Sequence, residues 1–409
     1  MTITEPAPTA VALTGAQILA NAKALVPILR KRAVEIEKNR QLPADVVQML
    51  RDAGVFRIGF TREWGGPEMT SMEQTEVIET LAYGEPAVGW CAKLGSDIGL
   101  HANFIEQDEA RRMFALDMHS ACVLMPTGRA EKVEGGFRLT GRWPFGSSSN
   151  HADWIGGGAF VFENGEPYAS PDGSNPHESR LFFVPKDEVE NLDNWDMWGM
   201  RGTGSSDFVI NDVFVPESHS WTFDSPKIPN GPFSQADIIQ RSMPGVAIGL
   251  TRAALDHARE VIATKVNHIT GLRWGAMEKF QIGIAEAEVD YHNTRAGLYA
   301  AMERQWELTR DGIGTLDDLN PEERIAVSMT GWEAFQMARR VTRRLADLMG
   351  TAAVRAEDPL GRWFRDAHTM CQHLVAGDRV TQTAGAYLFD AKLSMRFMLG
   401  VTDASTRTS

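Results

Sequence analysis

The sequence predicts an α+β protein in three parts: a helical N-terminal domain (1–121), a central β-barrel or sandwich domain (122–236) and a C-terminal four-helix bundle (237–409). Three observations lead to this. Apolar residues recur in steps of three and four at Leu19, Ala22, Val26, Leu29, Ala33 and Ile36, one stripe of a helix. Short aromatic and β-branched runs bounded by Gly, Pro, Asn and Asp fill the stretch from Val123 to Pro216. The helical period then returns from about Ser242.

The first helix spans Ile18 to about Asn39, preceded by a small, polar tail, Met1 to Gly15, with no basic segment leading an apolar core and so no signal peptide. Leu42-Pro43 breaks the pattern, Pro43 suits the first turn of a helix from Ala44 to Asp52, and Gly54 is placed to end it. Helical composition resumes from Ser71 to Tyr83 and from Val88 to Ala115. The strands are Val123-Leu-Met-Pro, Gly136 to Trp143, Trp154 to Phe162, Leu181 to Pro185 and Phe208 to Pro216, with a polar loop from Glu163 to Ser179. Between Pro244 and Arg396 four helices make the bundle, with Leu250, Ala254, Ala258 and Val261 on one apolar face and Phe335, Ala338, Val341, Leu345 and Leu348 on another.

Composition excludes several functions. Lys plus Arg number 41 against 54 Asp plus Glu, and the net charge of −13 repels phosphate backbones, so nucleic acid is no partner. No run approaches the roughly 20 apolar residues of a membrane helix. Cys91, Cys122 and Cys371 are far apart and odd in number, which fits a reducing cytoplasm and neither a disulfide framework nor a zinc pattern. His368 and His373 are poorly spaced on a helix to share a metal, and no third ligand accompanies them. No Gly-x-Gly-x-x-Gly unit for a nicotinamide cofactor is present.

Specific motifs are spread along the chain. They are Leu50-Arg-Asp-Ala-Gly-Val-Phe-Arg-Ile, Trp64-Gly-Gly-Pro-Glu, Gly89-Trp90, Pro126-Thr-Gly-Arg-Ala, Phe145-Gly-Ser-Ser-Ser-Asn-His-Ala-Asp-Trp154, Trp198-Gly-Met-Arg-Gly-Thr-Gly-Ser-Ser-Asp with Asp212-Val-Phe-Val-Pro216, and Arg365-Asp-Ala-His368 with His373. Through them the chain resembles acyl-CoA dehydrogenase-like flavoproteins over nearly its whole length. Within that group it is most similar to the monooxygenase branch, which contains 4-hydroxyphenylacetate 3-hydroxylase oxygenase components, actinobacterial steroid-ring hydroxylases and dibenzothiophene monooxygenases.

The dehydrogenase chemistry of the wider group needs a carboxylate base at the reacting carbon. Neither place expected for it holds one: the chain reads Ile239-Gln240-Arg241 at one and Arg365-Asp-Ala-His-Thr-Met-Cys-Gln-His at the other. The Arg-x-x-Phe-Gly element that helps to hold FAD tightly is replaced by Asn267-His-Ile-Thr-Gly-Leu-Arg.

The resemblance implies the oxygenase component of a two-component monooxygenase. Such a protein takes reduced flavin (FMNH2 or FADH2) from a separate NAD(P)H:flavin reductase. With O2 it hydroxylates a small substrate by way of a flavin C4a-hydroperoxide. Relatives act on phenols, steroid rings, thiophenes, indoles and amino sugars, and family frequency favours an aromatic or phenolic compound. A homotetramer formed through the bundles is also implied.

The resemblance assigns site residues as well. Ser147 corresponds to the hydroxyl facing flavin N5, and Ser148 stands where Gly is usual, which leaves open which hydroxyl points inward. His373, or else His368, is the catalytic imidazole, able to take a phenol proton or to stabilise developing charge. Gly202, Thr203, Gly204 and Ser205 form a loop beside the flavin, and Arg201 either binds an anionic cofactor group or pairs with a carboxylate. Trp90, His101 and Trp143 are candidates for the substrate pocket. Two other readings remain: an acyl-CoA dehydrogenase or oxidase with a relocated base, and a catalytically silent scaffold.

Overall fold

In the computed structural model, residues 13–401 are described apart from 171–175, 224, 229–230 and 313. Of the expected N-terminal tail, residues 1–12 lie outside the described residues, as does part of the expected 163–179 loop.

The N-terminal helices are α1 (Gly15–Asn39), α2 (Ala44–Asp52), α3 (Ser71–Gly84), α4 (Pro86–Ser96), α5 (Ile98–His101) and α6 (Gln107–Met113). Helix α1 starts earlier than its apolar stripe because Thr14 and Gln17 form a reciprocal capping box. The stripe itself buries Ile18, Ala22, Leu29, Ala33 and Ile36. Gly54, at φ +79°, takes the left-handed conformation after α2 that glycine adopts without strain.

The continuous helix expected from Val88 to Ala115 is broken into α4, α5, a 3₁₀ turn at Ala102–Phe104 and α6. Ile105 is extended, and the Gln107 amide donates to the carbonyls of Ala102 and Ile105 at 3.0 and 3.1 Å, replacing helical bonds at the break. The turn delivers Phe104 and Ile105 into a cluster with Phe183 and Trp221. Tertiary burial there outweighs helix propensity.

The strands are β1 (Ser120–Val133), β2 (Gly136–Trp143), β3 (Trp154–Glu163), β4 (Glu166–Pro167), β5 (Ser179–Pro185), β6 (Glu190–Asn191), β7 (Phe208–Pro216) and β8 (Ser220–Trp221). They form one sheet in the order β6-β7-β2-β1-β3-β5-β8, with β4 beside β3. Among the described strands only β1 and β3 run parallel. Phe137 of β2 meets Phe182 of β5 at 5.0 Å between ring centres, although two strands lie between theirs in the sheet. A flat sheet would hold them about 14 Å apart, so the sheet curls around its core in barrel fashion.

The C-terminal helices are α7 (Ile238–Arg241), α8 (Pro244–Thr264), α9 (Glu278–Thr309), α10 (Pro321–Met349), α11 (Pro359–Met370) and α12 (Asp378–Leu388). The bundle comprises α8, α9, α10 and α11, and α12 packs against α10 as an additional helix. Helix α3 lies along α8, and Gly249 makes that approach possible: a Cβ there would fall 2.2 Å from the Glu79 carbonyl oxygen. No helix among the described residues is long and apolar enough to cross a membrane.

Candidate active site

Four separated segments meet around Trp90. Helix α4 carries the indole, the β2–β3 connection carries Ser147, the segment before β7 carries Thr203 and Ser205, and the turn after α11 carries His373. The Trp90 Nε1–H donates to Ser147 Oγ at 3.1 Å. Ser147 Oγ lies 2.6 Å from Ser205 Oγ, which lies 2.6 Å from Thr203 Oγ1, and the Thr203 hydroxyl donates to the Met200 carbonyl at 2.8 Å. On its other side the Trp90 ring meets the His373 ring edge-on, centres 5.1 Å apart.

His373 does not continue α11. That helix ends at Met370, and His373 caps the 3₁₀ turn Leu374–Ala376, its Nδ1 accepting from the Val375 N–H at 3.4 Å. The bond assigns the proton of the neutral ring to Nε2. Part of the residue's surface is accessible, yet the protein around it pushes the imidazole down to about 4, and the charge of Lys93 adds to the effect. His373 is therefore neutral at pH 7.

Lys93, one helical turn beyond Trp90, is 1% exposed and gives its three protons to Asp97 Oδ1 (2.6 Å), Asp97 Oδ2 (2.5 Å) and the Ile239 carbonyl. All three acceptor contacts are made inside the protein, so the pair ties α4 to α7 and holds the Trp90 turn in place. The sequence reading missed this pair. A single cation in the otherwise apolar run Pro86–Ser96, four residues before Asp97, was the available signal. In α7, Gln240 donates to the Met398 carbonyl at 2.5 Å, so the amide at the dehydrogenase-base position ties down the C-terminal segment.

The remaining predicted residues separate. Ser148 is buried, and its N–H donates to the Thr203 carbonyl, which also accepts from the Cys91 thiol at 3.5 Å, so Ser147 supplies the hydroxyl of the cluster. Ser148 sits at φ +65°, a conformation that favours glycine. Gly202 and Gly204 are needed for packing within the chain. A Cβ on Gly202 would fall 2.3 Å from Ile36 Cγ2, and one on Gly204 would fall 3.0 Å from Gln41 Cβ. Arg201 pairs with Asp196 at 2.6 Å and donates to the Met197 carbonyl, which is the carboxylate alternative. Trp143 belongs to the sheet core, not to a pocket: it is fully buried, stacks on Phe208 and donates to the Gly158 carbonyl at 2.7 Å. The His368 Nδ1–H donates to the Phe364 carbonyl at 2.9 Å, and its ring packs on Phe364 and Trp198, apart from the Trp90 cluster.

His101 is 2% exposed, and its Nδ1 has no hydrogen-bond partner. Its ring packs against Phe183 and Trp221, and the Trp221 Nε1 is likewise buried without a partner. Trp221 lines a cavity of about 860 Å³ together with Phe104, Leu124, Pro126, Phe223 and Phe397. None of Ser147, Thr203, Ser205 or His373 is in that lining, so the cavity and the hydroxyl cluster are distinct surfaces.

The cluster fits the polar edge of a flavin. Ser147 presents a hydroxyl that is only half-buried, Ser206 beside it has a buried Oγ without a partner, and a neutral imidazole stands across the indole. A flavin edge alternates N–H and C=O groups and matches such a set.

Residues 22–108 match the family model described as acyl-CoA dehydrogenase, N-terminal domain, and residues 242–377 match acyl-CoA dehydrogenase, C-terminal domain. The indole-3-acetate monooxygenase of Pseudomonas putida is 30% identical over 367 residues, covering 88% of this chain and 90% of that protein. The HsaA monooxygenase from M. tuberculosis has the same fold, with a TM-score of 0.82 at 22% identity over 94% of this chain and 100% of that one. So does XiaF from Streptomyces sp., solved in complex with FADH2 and glycerol, with a TM-score of 0.84 at 21% identity over 93% and 96%. Matched in both helical parts, and related along nearly its full length to a monooxygenase, the chain belongs to the acyl-CoA dehydrogenase-like flavin-dependent monooxygenases.

Proposed function

We propose that the chain is the oxygenase component of a two-component system, receiving reduced flavin from a separate NAD(P)H:flavin reductase and hydroxylating a small aromatic or phenolic substrate. The observation that carries this reading is the Trp90 bridge, which joins Ser147 on one side to a neutral His373 on the other. Reduced flavin, when bound, supplies the electrons for oxygen activation. The chain's own residues bind it, exclude water and orient the substrate.

In this reading Ser147 and the segment Thr203–Ser206 hold the flavin edge. His373 meets the substrate through Nε2–H, donating a hydrogen bond to a phenol or phenolate oxygen. That tautomer favours charge stabilisation over proton removal. A planar phenol or indole suits a ring edge such as that of Trp90 and His373, and the cavity around Trp221 is a separate surface. The P. putida relative is named for an aromatic acid, in keeping with this class.

A tetramer formed through the bundle is part of the proposal. Ile282 and Val289, two turns apart on α9, are 57% and 56% exposed and give that helix an apolar outer face. A cytoplasmic location is proposed from the three free cysteines.

The experiment is anaerobic mixing of the protein with reduced FMN or FAD, followed by oxygen and a panel of phenols and indoles. A lag before oxidised-flavin absorbance returns, and hydroxylated product replacing hydrogen peroxide, are expected. Immediate flavin oxidation with both cofactors and no product from any substrate would sink the proposal.

A further inference from the structure

We propose that Asp366 is a positioning residue which, through the Met200 peptide and the hydroxyls of Thr203 and Ser205, fixes Ser147 as a hydrogen-bond acceptor and so makes the site select reduced over oxidised flavin. The proposal rests on the reading that Ser147 faces the flavin.

A carbonyl oxygen only accepts, so the Thr203 hydroxyl must donate in its 2.8 Å contact with Met200 O. Its one proton is then committed. In the 2.6 Å contact between Thr203 and Ser205 the donor must therefore be Ser205. That commits the Ser205 proton, and the 2.6 Å contact between Ser205 and Ser147 must be donated by Ser147. The Trp90 indole nitrogen is a donor only, so Ser147 accepts from it. Every proton in the chain is assigned, and Ser147 is left with acceptor capacity alone. The N5 of reduced flavin carries a hydrogen and donates. The N5 of oxidised flavin is a bare acceptor, which this hydroxyl cannot serve without breaking the chain.

The anchor is at the far end. Met200 has φ +52°, a left-handed conformation that costs a non-glycine residue free energy and needs outside support. Asp366, 3% exposed on α11, supplies it by accepting from the Met200 N–H at 2.6 Å. The Trp195 Nε1–H donates to the Met200 carbonyl at 3.2 Å, so the peptide units on both sides of the Met200 Cα are held. Around Asp366 stand Arg362 and Arg365 of its own helix, Glu85 at the start of α4 and Glu37 of α1. Arg365 pairs with Glu37 at 2.5 Å and Arg362 with Glu85 at 3.3 Å, so each cation near Asp366 already has a partner and the carboxylate is left to the peptide. Arg365 also donates to the Trp198 carbonyl at 3.1 Å, holding the segment two residues before Met200.

The test is the ratio of dissociation constants for oxidised and reduced FMN and FAD, measured anaerobically by ultrafiltration. Ser205→Ala frees the Ser147 proton, so oxidised flavin should bind about tenfold tighter than in the wild type, the worth of one hydrogen bond. Loss of folding cannot produce that gain. Thr203→Val should lower the ratio in the same direction, and Thr203→Ser, which keeps the hydroxyl, should restore it. Asp366→Ala should reduce the preference for reduced flavin, and Asp366→Asn, which keeps an acceptor oxygen for Met200, should retain it. An unchanged ratio in Ser205→Ala would overturn the proposal. If Ser147→Ala leaves the affinities for both redox states unchanged, the underlying reading that Ser147 faces the flavin fails instead.

Discussion

The indole of Trp90 and the imidazole of His373 meet at 89°, edge to face, with 5.1 Å between their centres. The contact spans the N-terminal helices and the C-terminal bundle. It fixes one side of the His373 ring while the Val375 N–H fixes Nδ1, so Nε2–H is the group left to act. His373→Gln, which places an amide donor near the Nε2 position, is expected to keep product formation within about tenfold of the wild type. His373→Ala is expected to lower it about a hundredfold while oxygen consumption continues as peroxide. Product and peroxide yields per flavin oxidised check both. Equal loss in the two variants would count against the donor role.

His101 makes acid stability a test of burial. Burial pushes its imidazole down to about 3, with the charge of Lys93 adding a smaller push. The unfolded chain takes up this proton near pH 6.5. Between those values the unfolded state holds the proton and the folded state does not, so His101 makes the wild type lose stability as pH falls. His101→Phe, placed among Phe183 and Trp221, should gain on the wild type by about 1.4 kcal/mol per pH unit below about pH 6. Urea unfolding of both proteins between pH 7.5 and 5 measures the difference. Parallel pH curves would contradict it.

Ser148 holds a left-handed backbone at φ +65°. Ser148→Gly removes a strain of about 1–2 kcal/mol and gives up the packing of a small buried side chain, worth about 1 kcal/mol or less. A stability equal to or up to about 1 kcal/mol above the wild type is expected by denaturant unfolding, with Ser147 function intact. A clear loss of stability would mean that the packing of the Ser148 side chain outweighs the strain.

Gln240→Glu would put a carboxylate at one of the two positions where a dehydrogenase carries its base. The Gln240 amide donates to the Met398 carbonyl inside the protein, and a carboxylate cannot donate there. The substitution should destabilise the fold by about 2–4 kcal/mol and should confer no acyl-CoA dehydrogenation, assayed with a dye as electron acceptor. Dehydrogenase activity in the variant would show that the site needs only a carboxylate to change its chemistry.

Periodicity along the chain determined most of the architecture. The stripe from Ile18 to Ile36, the helix from Ala44 to Asp52 and the strand from Gly136 to Trp143 are local patterns of burial, and local patterns are written in residue spacing. The motifs also brought Trp90, Ser147, Thr203, Ser205 and His373 onto one short roster. What spacing cannot carry is which of these side chains touch. The bond from Trp90 to Ser147 closes across 57 positions and that from Asp366 to Met200 across 166, so only the packing of α4, α11 and the curled sheet decides them. Packing also chose Ser147 over its neighbour Ser148, sent Trp143 into the sheet core and broke the helix at Ile105. In each case a buried polar group or a large ring had to find its partner in three dimensions, and the free energy of leaving it without one exceeds any local preference.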